Sequence, residues 1–218
     1  MTSNRAVKLG MQLTMADAIA TVFIVDDDAS TRDSLRWLIE SVGLSCETFV
    51  SATEFLGVFD ASRRGCLVLD VRMPGMSGLE LQEELVARGA HLPALMITGY
   101  ADVPMAVRAM KAGVLEFIEK PFSEQVLLDR IHHALKQDKA MRDAAAALAM
   151  LQERFTQLTP RERQVMTGVV AGKPSREIAT DLGLSQKTIE VHRGRIMEKA
   201  QAKSVAELVR LTLTADLA

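Results

Sequence analysis

Thr21-Val22-Phe23-Ile24-Val25-Asp26-Asp27-Asp28 decides how the rest of the chain reads. The four consecutive apolar residues 22–25 suit the centre of a parallel sheet, whose strands are covered on both faces and so carry unbroken apolar runs. The acidic triplet follows without a break, which puts three carboxylates at the C-terminal end of that strand. Short runs of similar character recur at 45–49, 66–69, 94–97 and 116–118, separated by amphipathic stretches at 30–42, 52–59, 78–88 and 103–112. Gly43, Gly89 and Gly113 follow three of those stretches as helix stops. Strands alternating with helices predict an α/β fold with a parallel sheet covered on both faces, and in a (βα)5 doubly wound parallel sheet of order 2-1-3-4-5 the first and third strands would be neighbours at the topological switch point.

Past this sheet the chain changes character. Residues 124–158 contain neither Gly nor Pro, which predicts one long helix capped by Ser123. Its first part offers Val126, Leu127, Ile131 and Leu135 to the sheet. Met141, Ala144, Leu148, Leu151, Phe155 and Leu158 then repeat at the 3,4 spacing of a coiled-coil seam, so a dimer seam and a solvated connector both stay open. Thr159-Pro160-Arg161-Glu162 reads as a capping box with Pro at the permitted first helical position. Three further helices are predicted at 175–182, 185–200 and 204–213, with the short Gly183-Leu184 connection of a helix-turn-helix between the first two. The predicted layout is therefore a flexible N-terminal extension at 1–20, the sheet domain at 21–135, a helical linker or coiled coil at 136–158 and an all-α four-helix domain at 159–218.

Composition bounds the function. The 218 residues allow one large domain or two small ones, and 48% apolar with 25% charged residues can fill a core, which excludes disorder across the whole chain. No apolar run approaches the roughly 18 to 20 residues needed to span a bilayer, and residues 1–20 lack the apolar stretch of a signal peptide, so a cytoplasmic protein without a membrane partner is expected. Cys46 and Cys66 lack CxxC spacing and read as reduced thiols. Residues 21–122 hold 9 Lys and Arg against 15 Asp and Glu, whereas residues 159–218 hold 10 against 7. The two ends face different partners, and the basic one fits an anion such as DNA.

Asp26, Asp27, Asp28, Asp70, Thr98 and Lys120 all fall at strand C-terminal ends, where a doubly wound sheet carries its site. Carboxylates converging there repel one another unless a cation sits among them. Hard oxygen ligands with vacant positions suit Mg²⁺, which keeps waters and accepts phosphate oxygens. A hydroxyl and an ammonium opposite would complete a phosphoryl cradle.

Val25-Asp26-Asp27-Asp28, Asp70-Val71-Arg72-Met73-Pro74-Gly75, Thr98-Gly99 and Lys120-Pro121-Phe122 resemble the marks of a response-regulator receiver domain. Asp102-Val103-Pro104-Met105-Ala106-Val107 with Lys111-Ala112-Gly113 resembles the FixJ subfamily. The segment from Leu158-Thr159-Pro160-Arg161-Glu162-Arg163 through Lys187-Thr188-Ile189-Glu190-Val191-His192 is similar to the LuxR-type helix-turn-helix. The resemblance covers nearly everything from Thr21 to Leu213.

It implies a two-component transcription regulator, not an enzyme in its own right, in which Asp70 accepts a phosphoryl group from a sensor histidine kinase. Asp27, Asp70 and the backbone carbonyl of Arg72 would ligate Mg²⁺, and Asp26 would hold a metal-bound water, with Asp28 outside that shell. Lys120 and the Thr98 hydroxyl would bind phosphoryl oxygens, since phosphoryl transfer is mostly positioning and charge stabilisation. Lys120-Pro121 matches the family's cis peptide. Thr98 and Phe117 match its switch pair, which would expose a homodimerisation surface on phosphorylation. Arg72 and Tyr100 fall where bulk would flank the path of a hydrolytic water and slow dephosphorylation.

In the last domain the helix at 185–200 should enter the major groove of double-stranded promoter DNA. Glu190, Val191 and Gly194 fall where the family contacts bases, and Gly194 offers no side chain for readout. Lys187, Arg193, Arg195, Lys199 and Lys203 are the expected phosphate contacts, with Thr188 and His192 beside them. His132 and His133 point about 100° apart on a helix and read as a solvated face rather than a chelate. Two rivals carry less of the sequence. One is a phosphatase of the haloacid-dehalogenase kind, which wants further acidic ligands after the lysine, where this chain has Pro121-Phe122. The other is a sigma-factor-like final domain that touches RNA polymerase.

Overall fold

A computed structural model describes residues 20–100 and 102–215. The extension expected at 1–20 lies, except for Ala20, outside the described residues. The chain forms two compact units that divide between Met141 and Arg142.

The first unit alternates strands and helices: β1 (Thr21–Val25), α1 (Ala29–Ser41), β2 (Ser45–Phe49), α2 (Ala52–Val58), β3 (Gly65–Asp70), α3 (Gly78–Ala87), β4 (Ala94–Thr98), α4 (Val103–Lys111), β5 (Glu116–Glu119) and the start of α5 (Glu124–Thr156). All pairings are parallel and the strand order is 2-1-3-4-5. Because side chains alternate across a strand, Phe23, Val25, Leu67, Leu69 and Met96 fill one apolar layer, and Val22, Ile24, Cys66, Val68 and Ile97 fill the other. Covered on both faces, β1, β3 and β4 have no use for polar side chains, which is why their sequences read as unbroken apolar runs.

Local chemistry starts the helices. Asp28 accepts the Thr31 N–H at 2.9 Å to cap α1, and Ser77 with Glu80 forms a reciprocal capping box on α3. Cys46 and Cys66 are free thiols, and burial pushes the Cys46 thiol up to about 12 and the Cys66 thiol higher, which disfavours the thiolate at both.

The second unit comprises the end of α5, then α6 (Pro160–Val170), α7 (Ser175–Leu182), α8 (Gln186–Ala200) and α9 (Val205–Thr214) around their own apolar core. Thr159 and Glu162 form the capping box that opens α6. Arg163 donates to the carbonyls of Leu158 and Thr156, and Arg161 to that of Leu182, so two guanidinium groups satisfy carbonyls left over at helix ends.

Helix α5 differs from a free linker at both of its ends. Asp138 is buried and accepts the Gly65 N–H at 3.1 Å, so the first unit extends past residue 135. Leu151, Phe155 and Leu158 lie in the core of the second unit. The second half of the 3,4 series over 141–158 is therefore intradomain packing, and Met141, Ala144 and Leu148 of the series stay exposed. Three exposed residues fall short of the three to four heptads a coiled coil needs.

Candidate functional site

Three loops bring the acidic and basic groups of the first unit together at the C-terminal ends of β1, β3 and β5. Asp26 is almost fully buried, and its Oδ1 accepts the Asp28 N–H at 2.9 Å. Arg32 on α1 donates to the Asp26 carbonyl at 2.7 Å and holds the loop against the helix. Asp70 ends β3, and its Oδ2 accepts the Arg72 N–H at 2.7 Å. Gly78 lets α3 begin directly beneath it, since a Cβ there would lie 2.2 Å from the Asp70 carbonyl oxygen. Lys120 follows β5 through a cis peptide to Pro121 and extends its Nζ between the two carboxylates, 3.1 Å from Asp70 Oδ1 and 3.3 Å from Asp26 Oδ2.

The electrostatics follow from that crowding. Burial pushes the Asp26 carboxyl above its ordinary range, with the neighbouring Asp70 charge adding to the effect and the Asp28 N–H and Lys120 opposing it. Burial also works against the Lys120 ammonium, but its hydrogen bond to Asp70 and the charge of Asp26 outweigh this and hold it above the usual lysine value. Asp27 is exposed on the loop between β1 and α1, and Asp28 serves as the cap of that helix.

Among the described residues, no three His, Cys, Asp or Glu side chains stand close enough together to hold a metal by themselves. The donor chemistry nevertheless fits Mg²⁺. A buried carboxylate with a raised pKa beside a second carboxylate is the arrangement a hard cation relieves, and Mg²⁺ takes one or two carboxylates and keeps waters in its other positions.

The other expected groups lie on the same rim. Thr98 is buried at the end of β4, and its hydroxyl is engaged with the Tyr100 backbone, accepting the N–H at 3.2 Å. Phe117 pairs in register with Met96 and is half-buried against the apolar layer under α4. The Arg72 guanidinium lies over the Tyr100 ring at 4.8 Å, so the residues two places beyond Asp70 and Thr98 meet each other. Helix α4 exposes Val103, Val107 and Met110.

In the second unit, Ser185 caps α8 by accepting the Thr188 N–H at 3.1 Å, and its hydroxyl meets that of Thr188 at 2.7 Å. Lys187, Glu190, Val191, Gly194, Arg195 and Lys203 are exposed. Arg193 reaches back to the Ser175 hydroxyl on α7 at 3.3 Å and stands 3.9 Å from Glu190. His192 is half-buried, with an Nδ1 that has no hydrogen-bond partner among the described residues.

Lys199 has partners inside the domain. Its Nζ is 2.7 Å from Glu162 Oε2 and 3.2 Å from the Gln157 carbonyl. Glu162 is 2% exposed, and the bond from Lys199 pulls its carboxyl down to about 2. The sequence gives Glu162 away as a capping residue but not as half of an ion pair, because its partner lies 37 residues on.

The description "Response regulator receiver domain" matches residues 22–132, and "Bacterial regulatory proteins, luxR family" matches residues 156–212. Nodulation protein W of Bradyrhizobium diazoefficiens is 44% identical over 92% of this chain and 88% of its own length. Transcriptional regulatory protein FixJ of the same species is 42% identical over 90% of this chain and 96% of its own. The solved structure of response regulator StyR matches with a TM-score of 0.82 at 47% identity, covering 90% of this chain and 99% of that one. Full-length FixJ from B. japonicum matches with a TM-score of 0.55 at 40% identity over 91% and 98% of the two chains. Among the described residues, no helix is long and apolar enough to cross a membrane. With an acidic cleft around Asp70 in one unit and a capped helix-turn-helix in the other, the chain belongs to the two-component response regulators with a LuxR-type DNA-binding domain.

Proposed function

We propose that Asp70 is the phosphoacceptor and that its phosphorylation by a sensor histidine kinase makes this protein dimerise and bind promoter DNA. The observation that carries the reading is the Lys120 ammonium held between Asp70 and Asp26 at hydrogen-bond distance. An Asp70 oxygen attacks the phosphorus of a phosphohistidine, the P–N bond breaks as the P–O bond forms, and the imidazole leaves with the electron pair. Asp27, Asp70 and the Arg72 carbonyl would hold Mg²⁺, with Asp26 beside them, and the ion would supply neutralisation of charge on the phosphoryl oxygens. Lys120 neutralises a further oxygen, and the Thr98 hydroxyl leaves the Tyr100 backbone to bind another.

That movement vacates space beside Thr98, and Phe117, half-buried next to β4, turns into it. The surface of α4 and β5 changes with the ring, and the exposed Val103, Val107 and Met110 gain a second copy as their cover. Dimerisation then pairs two copies of α8 for the two half-sites of an operator.

The test is incubation with acetyl phosphate and Mg²⁺. Label is expected on Asp70, absent in Asp70→Asn and reduced in Asp27→Asn, with sedimentation showing a shift from monomer to dimer. Label that persists in Asp70→Asn would overturn the assignment.

A further inference from the structure

Helix α3 buries Leu79, Leu81, Gln82 and Leu85, and Gln82 is the polar member of that set. An amide at a place where leucine would pack needs a partner for each of its ends. The side chain is 4% exposed. Its Nε2 donates to the Ala112 carbonyl at 3.2 Å, which ties α3 to the turn after α4. That bond fixes the orientation of the amide, because a flip would set two carbonyl oxygens against each other. Oε1 is left with no hydrogen-bond partner among the described residues. A buried acceptor without a donor is costly and rare.

Gln82 also lines a cavity of about 650 Å³ in the first unit, a volume within the usual range of small-molecule sites. Its walls come from α3, from the loops that lead into β4 and β5, and from α5. Buried Ala90, Leu92 and Val114 and exposed Val86, Met110 and Met141 make it mostly apolar. Methionine is the side chain that repacks most readily around a guest. The cavity lies by the N-terminal ends of β4 and β5, whereas the acidic cleft lies at C-terminal strand ends, so the two are at opposite ends of the sheet.

We infer that this cavity binds a small, uncharged, mostly apolar molecule with one hydrogen-bond donor, the size of a phenol or an indole, whose donor pairs with Gln82 Oε1. The apolar walls match its body. An ammonium would bring three N–H groups to one free acceptor, since both oxygens of the neighbouring Glu83 already receive Arg108, at 3.0 and 2.8 Å. An anion suits the exposed Lys111 at the edge but would set its charge against Oε1. A single hydroxyl or N–H answers the acceptor and leaves nothing else unpaired.

The test titrates two probes into the isotope-labelled full chain and follows its amide NMR signals. Indole carries one N–H donor, and benzofuran has the same shape with an oxygen in place of that N–H. Indole should shift the amides of residues 88–92 and 112–115 and bind about fivefold more tightly than benzofuran, the worth of one hydrogen bond. Gln82→Met, which keeps the length and removes the amide, should erase the difference between the probes. Val86→Trp, a change at an exposed position on the rim, should block both and keeps the test decisive if Gln82→Met fails to fold. Labelling of Asp70 by acetyl phosphate should proceed with indole bound. Absence of binding up to the solubility limit of indole, equal affinity for the two probes in wild type, or loss of Asp70 labelling through occupation of the acidic cleft would each overturn the assignment.

Discussion

Replacing Lys199 with Met separates a structural cation from a DNA contact. Methionine keeps an unbranched stem of similar reach and removes the ammonium, so the change isolates the charge. In the wild type that ammonium is 2.7 Å from a Glu162 carboxylate that is 2% exposed. Removing one member of a buried pair costs roughly 3 to 5 kcal/mol, because the other charge is left uncompensated. Lys199 itself is 31% exposed and Glu162 keeps the Thr159 N–H at 2.8 Å, so solvent and that bond offset part of the loss. A cost of about 2 kcal/mol is expected, which lowers the melting temperature of a domain this size by roughly 8 to 16 °C.

Calorimetry of the full chain, with its two units, reads that shift. The double variant Glu162→Gln with Lys199→Met should recover part of it, since no buried charge is then left alone. The pH dependence has a fixed sign. Glu162 falls from an ordinary 4.5 to about 2 on folding, so its contribution is complete above about 4.5 and is lost as pH falls toward 2. The gap between wild type and Lys199→Met should close over that window. In DNA binding the variant should keep the wild-type salt slope. An unchanged melting temperature together with a salt slope reduced by about one counterion would refute this account and return Lys199 to the phosphate contacts.

Other outcomes follow from the same geometry. Asp26 has a raised pKa, so its charged form opposes folding at neutral pH, and Asp26→Asn should raise the melting temperature of the metal-free protein by a few degrees while weakening Mg²⁺ binding; a lowered melting temperature would show that the Lys120 contact outweighs burial. Arg72→Ala and Tyr100→Ala each break the contact between guanidinium and ring and should shorten the half-life of labelled Asp70 by a similar factor, with the double variant adding little; independent, multiplying effects would mean the two side chains act apart. Glu190→Ala should keep or raise non-specific DNA affinity and relax preference at one base pair per half-site, because the 3.9 Å separation from Arg193 is too long for a hydrogen bond to hold the carboxylate; an unchanged preference profile across the four base pairs would remove Glu190 from readout.

The parallel sheet and the helices that follow it were legible in the sequence because they rest on local regularities. Buried parallel strands must be apolar on both faces, and caps and glycine stops act within one turn, so runs such as 22–25 and the Thr159 to Glu162 box announce themselves. The cleft was legible for a related reason: in a doubly wound sheet the residue after a strand is the residue at the site, so Asp26, Asp70, Thr98 and Lys120 were placed by counting from strand ends.

What spacing could not decide was the partner of each side chain. The series Met141 to Leu158 reads as one seam, yet burial divides it, because a 3,4 repeat records that a face is apolar and not which surface covers it. Lys199 looks like its exposed neighbours on α8 until the fold sets Glu162 against it, and Arg72 and Tyr100 are 28 positions apart until two loops stack them. The sequence by itself determined the elements, their order and the residues at the strand ends, since these depend on interactions within a few residues. Only the tertiary structure decided which charges are spent inside the protein and which are left to face a partner, since that depends on contacts between segments that lie far apart in the chain.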